Sequence, residues 1–156
     1  FFYLYFLVIF SLLLLFISLF NILLSILFTR KNKRFELINL EDKKPLVSVL
    51  IPARNEENNI NRCVNSLLEQ SYSNIEVIIL DDDSSDNTYS ISNELSKFDS
   101  RVNLIKGKEI PKGWLGKNWA CHQLSKFATG DYLLFCDADV VYDKELIQKH
   151  VNKLTS

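Results

Sequence analysis

Leu46-Val47-Ser48-Val49-Leu50-Ile51-Pro52-Ala53-Arg54-Asn55-Glu56-Glu57 holds an abrupt change of character. Its first six residues are rich in β-branched and aliphatic side chains and read as a strand buried on both faces, stopped by Pro52. The polar residues that follow open a helix. Asn55 is the expected N-cap, with Glu56 and Glu57 in the first turn, where negative charge complements the helix dipole. Ile60, Cys63, Val64, Leu67 and Leu68 then recur at i, i+3, i+4, i+7 and i+8, the stripe of an amphipathic helix.

The same unit repeats downstream. Ile75 to Leu80 predicts a second strand, and Ile91, Leu95 and Phe98 mark a helix capped within Ser84 to Asp86. Val102 to Ile105 predicts a third strand, followed by a loop from Lys106 to Gly116 and a helix carrying Ala120, Leu124, Phe127 and Ala128. Tyr132 to Cys136 predicts a fourth strand. Leu146, Ile147, His150, Val151 and Leu154 predict the last helix, with His150 on its apolar face. Four strand-then-helix units imply an α/β fold, a mostly parallel sheet with helices on both faces. Ligands in such sheets bind beyond the carboxyl ends of the strands.

Upstream the chain is different. Residues 1–29 contain no charged side chain and seven of the eleven phenylalanines. Phe1 to Phe28 would reach about 42 Å as a helix, enough to cross a hydrocarbon core of about 30 Å. A secretory signal has a shorter apolar core of about 7–15 residues, so 1–29 is expected to be a retained transmembrane helix. Arg30, Lys31, Lys33 and Arg34 follow, and cations flanking a span stay on the cytoplasmic side. The expected organisation is a membrane helix at 1–29, a basic and polar linker at 30–45, and a cytoplasmic domain over 46–156, with the membrane held through 1–29. Phe in place of Met at position 1 leads us to expect an excerpt of a longer chain.

Composition excludes several functions. The whole chain has 18 Lys and Arg against 19 Asp and Glu. Past residue 34 the balance is 14 against 19, or −5, which argues against a nucleic-acid partner. Three cysteines without CxxC spacing form neither a disulfide framework nor a zinc site. No GxGxxG, GxxxxGK[ST] or GxSxG motif is present. Cys136 reads as a core residue. Trp114 and Trp119 are expected to pack their loop onto the sheet, with a lean on a lipid acceptor as the alternative.

The chemistry gathers where strands end. Asp81-Asp82-Asp83-Ser84-Ser85-Asp86 follows the second strand and Asp137-Ala138-Asp139 the fourth. Carboxylates this close repel one another or hold a cation. Mg²⁺ or Mn²⁺, bound by one or two carboxylates, completes its shell with water and substrate phosphate oxygens. Alternation along a strand would point Asp137 and Asp139 the same way.

These motifs match a known pattern. Val47 to Glu57 resembles the opening of family 2 glycosyltransferases. Ile75 to Thr88 resembles their second motif, and Gly130 to Asp139 their DxD strand. Gly113-Trp114-Leu115-Gly116-Lys117-Asn118-Trp119-Ala120-Cys121-His122-Gln123 is similar to a subgroup that glycosylates membrane lipids, including hopanoid-associated and carotenoid (diaponeurosporenoate) glycosyltransferases. Asp83 stands where the family usually has Gly, and Leu124 where Gly is common.

The resemblance implies the N-terminal half of a GT-A fold and an inverting transfer from a nucleotide-diphosphate sugar to a lipid or other membrane-proximal acceptor. It implies that Pro52, Ala53, Arg54 and Glu56 line the nucleotide. Asp82, with Asp81 beside it, would accept from the base or ribose, and Lys117 would approach the base or diphosphate. Asp137 would face ribose and metal, and Asp139 would ligate the metal. The general base is expected beyond residue 156, so no catalytic residue falls within 1–156. A polysaccharide-synthesising member of the family, a sugar nucleotidyltransferase and a non-catalytic membrane scaffold are the alternatives. The nucleotidyltransferase would want a Gly-rich basic loop after the first strand, which Pro52 to Glu56 is not.

Overall fold

The computed structural model describes residues 2–32 and 44–155, and the chain divides into two compact units, 1–39 and 40–156. In the first, Phe2–Asn32 is one helix, α1. Its side chains are described at 2, 3, 5, 6 and 9–25, and all of these are exposed. Phe6 stacks on Phe10 and Phe16 on Phe20, each pair with ring centroids 6.4 Å apart. The Asn21 amide donates to its own helix at the Ile17 carbonyl, 2.9 Å away. The expected membrane span is not met: among the described residues, no helix is long and apolar enough to cross a membrane. Lys33, Arg34 and the linker up to 43 lie outside the described residues.

The second unit is a four-stranded parallel sheet in the order β3-β2-β1-β4. Its strands are β1 (Val47–Ala53), β2 (Ile75–Asp81), β3 (Val102–Lys106) and β4 (Tyr132–Phe135), and its helices are α2 (Ile60–Leu68), α3 (Thr88–Phe98), α4 (Gly116–Phe127) and α5 (Leu146–Thr155). All four expected units form, and helices cover both faces. On one face Val49, Ile51, Val77 and Ile79 pack with Ile60, Val64 and Leu67 of α2, Leu95 of α3 and Ile147 of α5. On the other, Leu50, Ile78 and Leu80 pack with Ala120 and Leu124 of α4. The central strands are apolar on both sides because both sides are covered.

Several local expectations give way. Pro52 does not stop β1, which runs on to Ala53. The Leu50 carbonyl accepts from the Cys136 N–H on the β4 side, so alternation turns the N–H that Pro52 lacks to that side too. The last β1–β4 pair is Leu50 with Phe135, so no ladder bond is lost there. Asn55 is not a cap, for α2 begins at Ile60 behind Asn59 and has no acid in its first turn. Phe98 and Phe127 are exposed, while polar Ser92 and Gln123 occupy buried positions. His150 is also exposed, its Nδ1 2.7 Å from the Leu146 carbonyl of its own helix.

At the opposite end of the sheet from the carboxyl ends, Glu76 gathers the Ser48 hydroxyl, the Thr129 N–H and the Thr129 hydroxyl. The Gly130 N–H donates to Ser48 Oγ at 2.8 Å. A Cβ on Gly130 would stand 2.6 Å from that oxygen and 2.7 Å from the Leu46 carbonyl, so only glycine lets the chain enter β4 this closely.

Candidate functional site

The strand order reverses at β1, which has β2 on one side and β4 on the other. At such a point the connections leave in opposite directions and open a crevice beyond the carboxyl ends. A cavity of about 380 Å³ occupies this place. Pro52, Ala53, Arg54 and Glu56 line it from the end of β1, and Asp82 from the end of β2. Asp137, Ala138 and Asp139 line it from beyond β4, and Gly116, Lys117 and Ala120 from the first turns of α4.

Eight of the nine residues expected at the site therefore meet in one cavity. Asp81 is the exception. It is 2% exposed and outside the lining; its Oδ2 accepts from the Ser84 N–H at 3.4 Å, and its Oδ1 is buried with no partner. Asp137 and Asp139 follow the fourth strand as expected, but β4 already ends at Phe135 and neither carboxylate belongs to it. Strand alternation therefore does not aim them.

The turn is fixed from behind. The Asp137 carbonyl accepts from the Cys63 thiol at 3.5 Å and from the Tyr142 hydroxyl at 3.2 Å. Burial, then Cys136, Asp139, Glu56 and Asp137, push the Cys63 thiol up to about 12, and burial pushes Cys136 up to about 11. Both stay protonated and are inert as nucleophiles, in line with a core role for Cys136. Sequence reading missed Cys63 and Tyr142 as positioning residues, and it missed Gly116 and Ala120 as small residues that leave the cavity open.

Lys117 Nζ lies 2.6 Å from Asp137 Oδ1. This hydrogen bond and the carboxylate's charge hold the ammonium above its usual range. Both side chains are more than half exposed, so the pair contributes little to stability. Its interest is chemical, because a cation already stands on the first Asp of the DxD.

The loops after β1 and β2 brace each other. The Asn55 N–H donates to Ser84 Oγ at 3.0 Å, and Asn55 Oδ1 accepts from the Ser85 N–H at 2.9 Å. The Glu56 N–H donates to Thr88 Oγ1 at 2.7 Å, and the Asn87 N–H to Glu57 Oε2 at 3.0 Å. Asp86 Oδ1 accepts from the Thr88 N–H at 3.0 Å, just ahead of α3. Much of the acidic run after β2 is thus structural, and Asp83 lies outside the lining.

Among the described residues, no group of three or more His, Cys, Asp or Glu could hold a metal ion. A caged site is absent among them, but an open one fits. Glu56, Asp82, Asp137 and Asp139 face Arg54 and Lys117 in the lining, a formal excess of two negative charges. A diphosphate entering alone would be repelled, whereas a divalent cation would balance the lining. Two exposed carboxylates suit Mg²⁺ or Mn²⁺, which keep several positions for water and phosphate.

The profile of the family described as glycosyl transferase family 2 matches residues 48–156. The 4,4'-diaponeurosporenoate glycosyltransferase of Staphylococcus haemolyticus is 37% identical over 99 residues, covering 64% of this chain and 25% of that protein. The UDP-Glc:alpha-D-GlcNAc-diphosphoundecaprenol beta-1,3-glucosyltransferase WfgD of Escherichia coli is 35% identical over 109 residues, covering 70% and 41%. The crystal structure of S. aureus TarS 1–349 in complex with UDP superposes with a TM-score of 0.58 at 30% identity, covering 68% of this chain and 31% of that one. The chain thus spans between a quarter and about two fifths of the length of these relatives.

Proposed function

The chain belongs to glycosyl transferase family 2, and on that premise we propose that it carries the donor half-site of a glycosyltransferase. This half-site binds a nucleotide-diphosphate sugar together with Mg²⁺ or Mn²⁺, and the enzyme passes the sugar to a lipid-type acceptor with inversion. The observation that carries the reading is the single cavity at the strand-order reversal. It collects Arg54, Asp82, Lys117, Asp137 and Asp139 from four separate segments.

Each residue has a task the geometry supports. Pro52 and Ala53 form the floor against which a base can lie. Asp82 accepts from the base or ribose, while Asp81, 2% exposed and outside the lining, is left out of that contact. Arg54 and Lys117 hold the diphosphate by charge. Asp137 and Asp139 would hold the metal, which when bound neutralises charge on the departing nucleoside diphosphate. The carboxylate that removes the acceptor's proton is expected beyond residue 156.

Attachment to the cytoplasmic face of the cell membrane through α1 belongs to the same reading. The exposed apolar side chains on every described part of α1 support it. So do Arg30, Lys31, Lys33 and Arg34, cations of the kind that remain on that face. The names of two relatives point the same way, one for diaponeurosporenoate and one for a diphosphoundecaprenol-linked sugar.

The test is transfer itself. The full protein in membranes is given radiolabelled UDP-, GDP- and dTDP-sugars, and label is followed into organic-phase lipid. One donor should label lipid, and Asp139→Ala should abolish the signal. Label only in water-soluble polymer would favour polysaccharide synthesis. No transfer or donor hydrolysis with any nucleotide and metal would overturn the reading.

A further inference from the structure

The loop between β3 and α4 pairs exposed apolar residues with lysines. Ile110 is 45%, Trp114 42% and Leu115 72% exposed, all within six residues. Single exposed apolar side chains are ordinary, but three so close together, one a tryptophan, are a patch. Lys106, Lys108 and Lys112 stand exposed around them, against one acid, Glu109. Among the described residues none of these three lysines is in an ion pair.

The patch stands on a firm base. Trp119 Nε1 donates to the Lys108 carbonyl at 3.0 Å, tying the loop to α4. Trp119 and His122 stack at 5.5 Å, and Trp114 meets both, at 5.2 and 5.0 Å. The Trp114 N–H closes a turn onto the Pro111 carbonyl at 3.1 Å, and Gly113 supplies a positive φ of 91° with open space where a Cβ would be. Ala120 and Leu124 root α4 in the core. Trp119 thus ties the loop to α4, where the sequence led us to expect both tryptophans to pack it onto the sheet, and Trp114, Leu115 and Ile110 are left exposed.

We propose that residues 106–115 form a membrane-contact element that seats Ile110, Trp114 and Leu115 in the interfacial layer of an anionic bilayer, with Lys106, Lys108 and Lys112 against lipid phosphates. Tryptophan favours that layer because its ring is apolar and its N–H polar. Lysines beside apolar anchors draw such a surface to negatively charged lipid. The element continues directly into Gly116 and Lys117, which line the cavity. Bilayer contact therefore sets that wall of the cavity at the lipid surface. The inference holds whether or not the cavity transfers a sugar.

The chain has two tryptophans, both in this element and its base, and α1 has none, so intrinsic fluorescence reads the loop and not the helix. The full protein is bound to phosphatidylcholine vesicles with and without phosphatidylglycerol, binding is confirmed by flotation, and brominated lipid serves as quencher. On anionic vesicles the emission should shift to shorter wavelength, with about twofold or greater quenching by bromine. Ile110→Glu with Leu115→Glu should remove both effects while flotation and the circular-dichroism melt stay unchanged. Lys106, Lys108 and Lys112 changed to Gln should remove the preference for phosphatidylglycerol. Vesicle-bound protein with unshifted, unquenched tryptophans overturns the proposal, as does a shift that grows with protein concentration in the absence of lipid, the mark of a second copy. Nucleotide titration of the Glu variant should match wild type, which separates failure here from failure of the donor site.

Discussion

Asp83 is held at a φ of 59°, and Asn55 at 56°. Left-handed backbone costs an L-residue roughly 1–2 kcal/mol, least for Asn and Asp, and glycine little. The glycine usual at the Asp83 position in the family is thus explained by this turn, and Asp is the tolerated substitute. Asp83→Gly should be more stable than Asp83→Ala by about 1 kcal/mol in urea melts; equal midpoints would remove the backbone explanation. Lys117 offers a second test at this scale. Its ammonium occupies Asp137 Oδ1 at 2.6 Å, so a metal ion that takes this oxygen must displace it. In Lys117→Met, Mn²⁺ alone should bind up to about fivefold more tightly, the scale set by exposed ion pairs of roughly 0–1 kcal/mol. Nucleotide should bind the same variant more weakly. Unchanged Mn²⁺ affinity would show that the pair does not guard the site.

The elements are joined at both ends of the sheet by side-chain hydrogen bonds that link distant segments. At the amino end, Glu76 on β2 receives Ser48 of β1 and Thr129 ahead of β4. Burial works to raise the Glu76 carboxyl, and the Ser48 and Thr129 hydrogen bonds outweigh it, leaving it below its ordinary value of 4.5. The folded state then binds fewer protons than the unfolded, so this contribution is complete above 4.5 and is lost as pH falls through the lowered value. Wild type should lose more stability than Glu76→Gln between about pH 6 and pH 3. Parallel losses in denaturant midpoints would contradict this. The strands, the helices and the parallel arrangement were legible in the sequence because Leu46 to Ile51 and Ile75 to Leu80 are short β-branched-rich runs, while Ile60, Cys63, Val64 and Leu67 recur at helical spacing. The long-range polar ties were not: nothing local says that Asn55 braces Ser84 and Ser85, so it reads as a cap. Phe98 and Phe127 misled for a related reason, since hydrophobicity marks a face but not whether a neighbour covers it. The cavity was legible because strand ends converge in this topology. Cys63 and Tyr142 escaped because they act through the Asp137 backbone, 74 and 5 residues away.

Taken whole, the folded unit presents a cavity with two negative charges in excess, lined on one side by Gly116 and Lys117 at the start of α4. That excess makes the account specific. A diphosphate should enter only with a divalent cation, and the cation should depend on the turn after β4. Calorimetric titration of the full protein with UDP, GDP and dTDP, with and without Mn²⁺, tests this most directly when wild type is set beside Asp139→Ala. The account predicts that one nucleotide binds, only with the metal, and that Asp139→Ala loses the binding while keeping its melting temperature. Nucleotide binding that ignores both Mn²⁺ and Asp139, or no binding of any nucleotide by the folded protein, would contradict it.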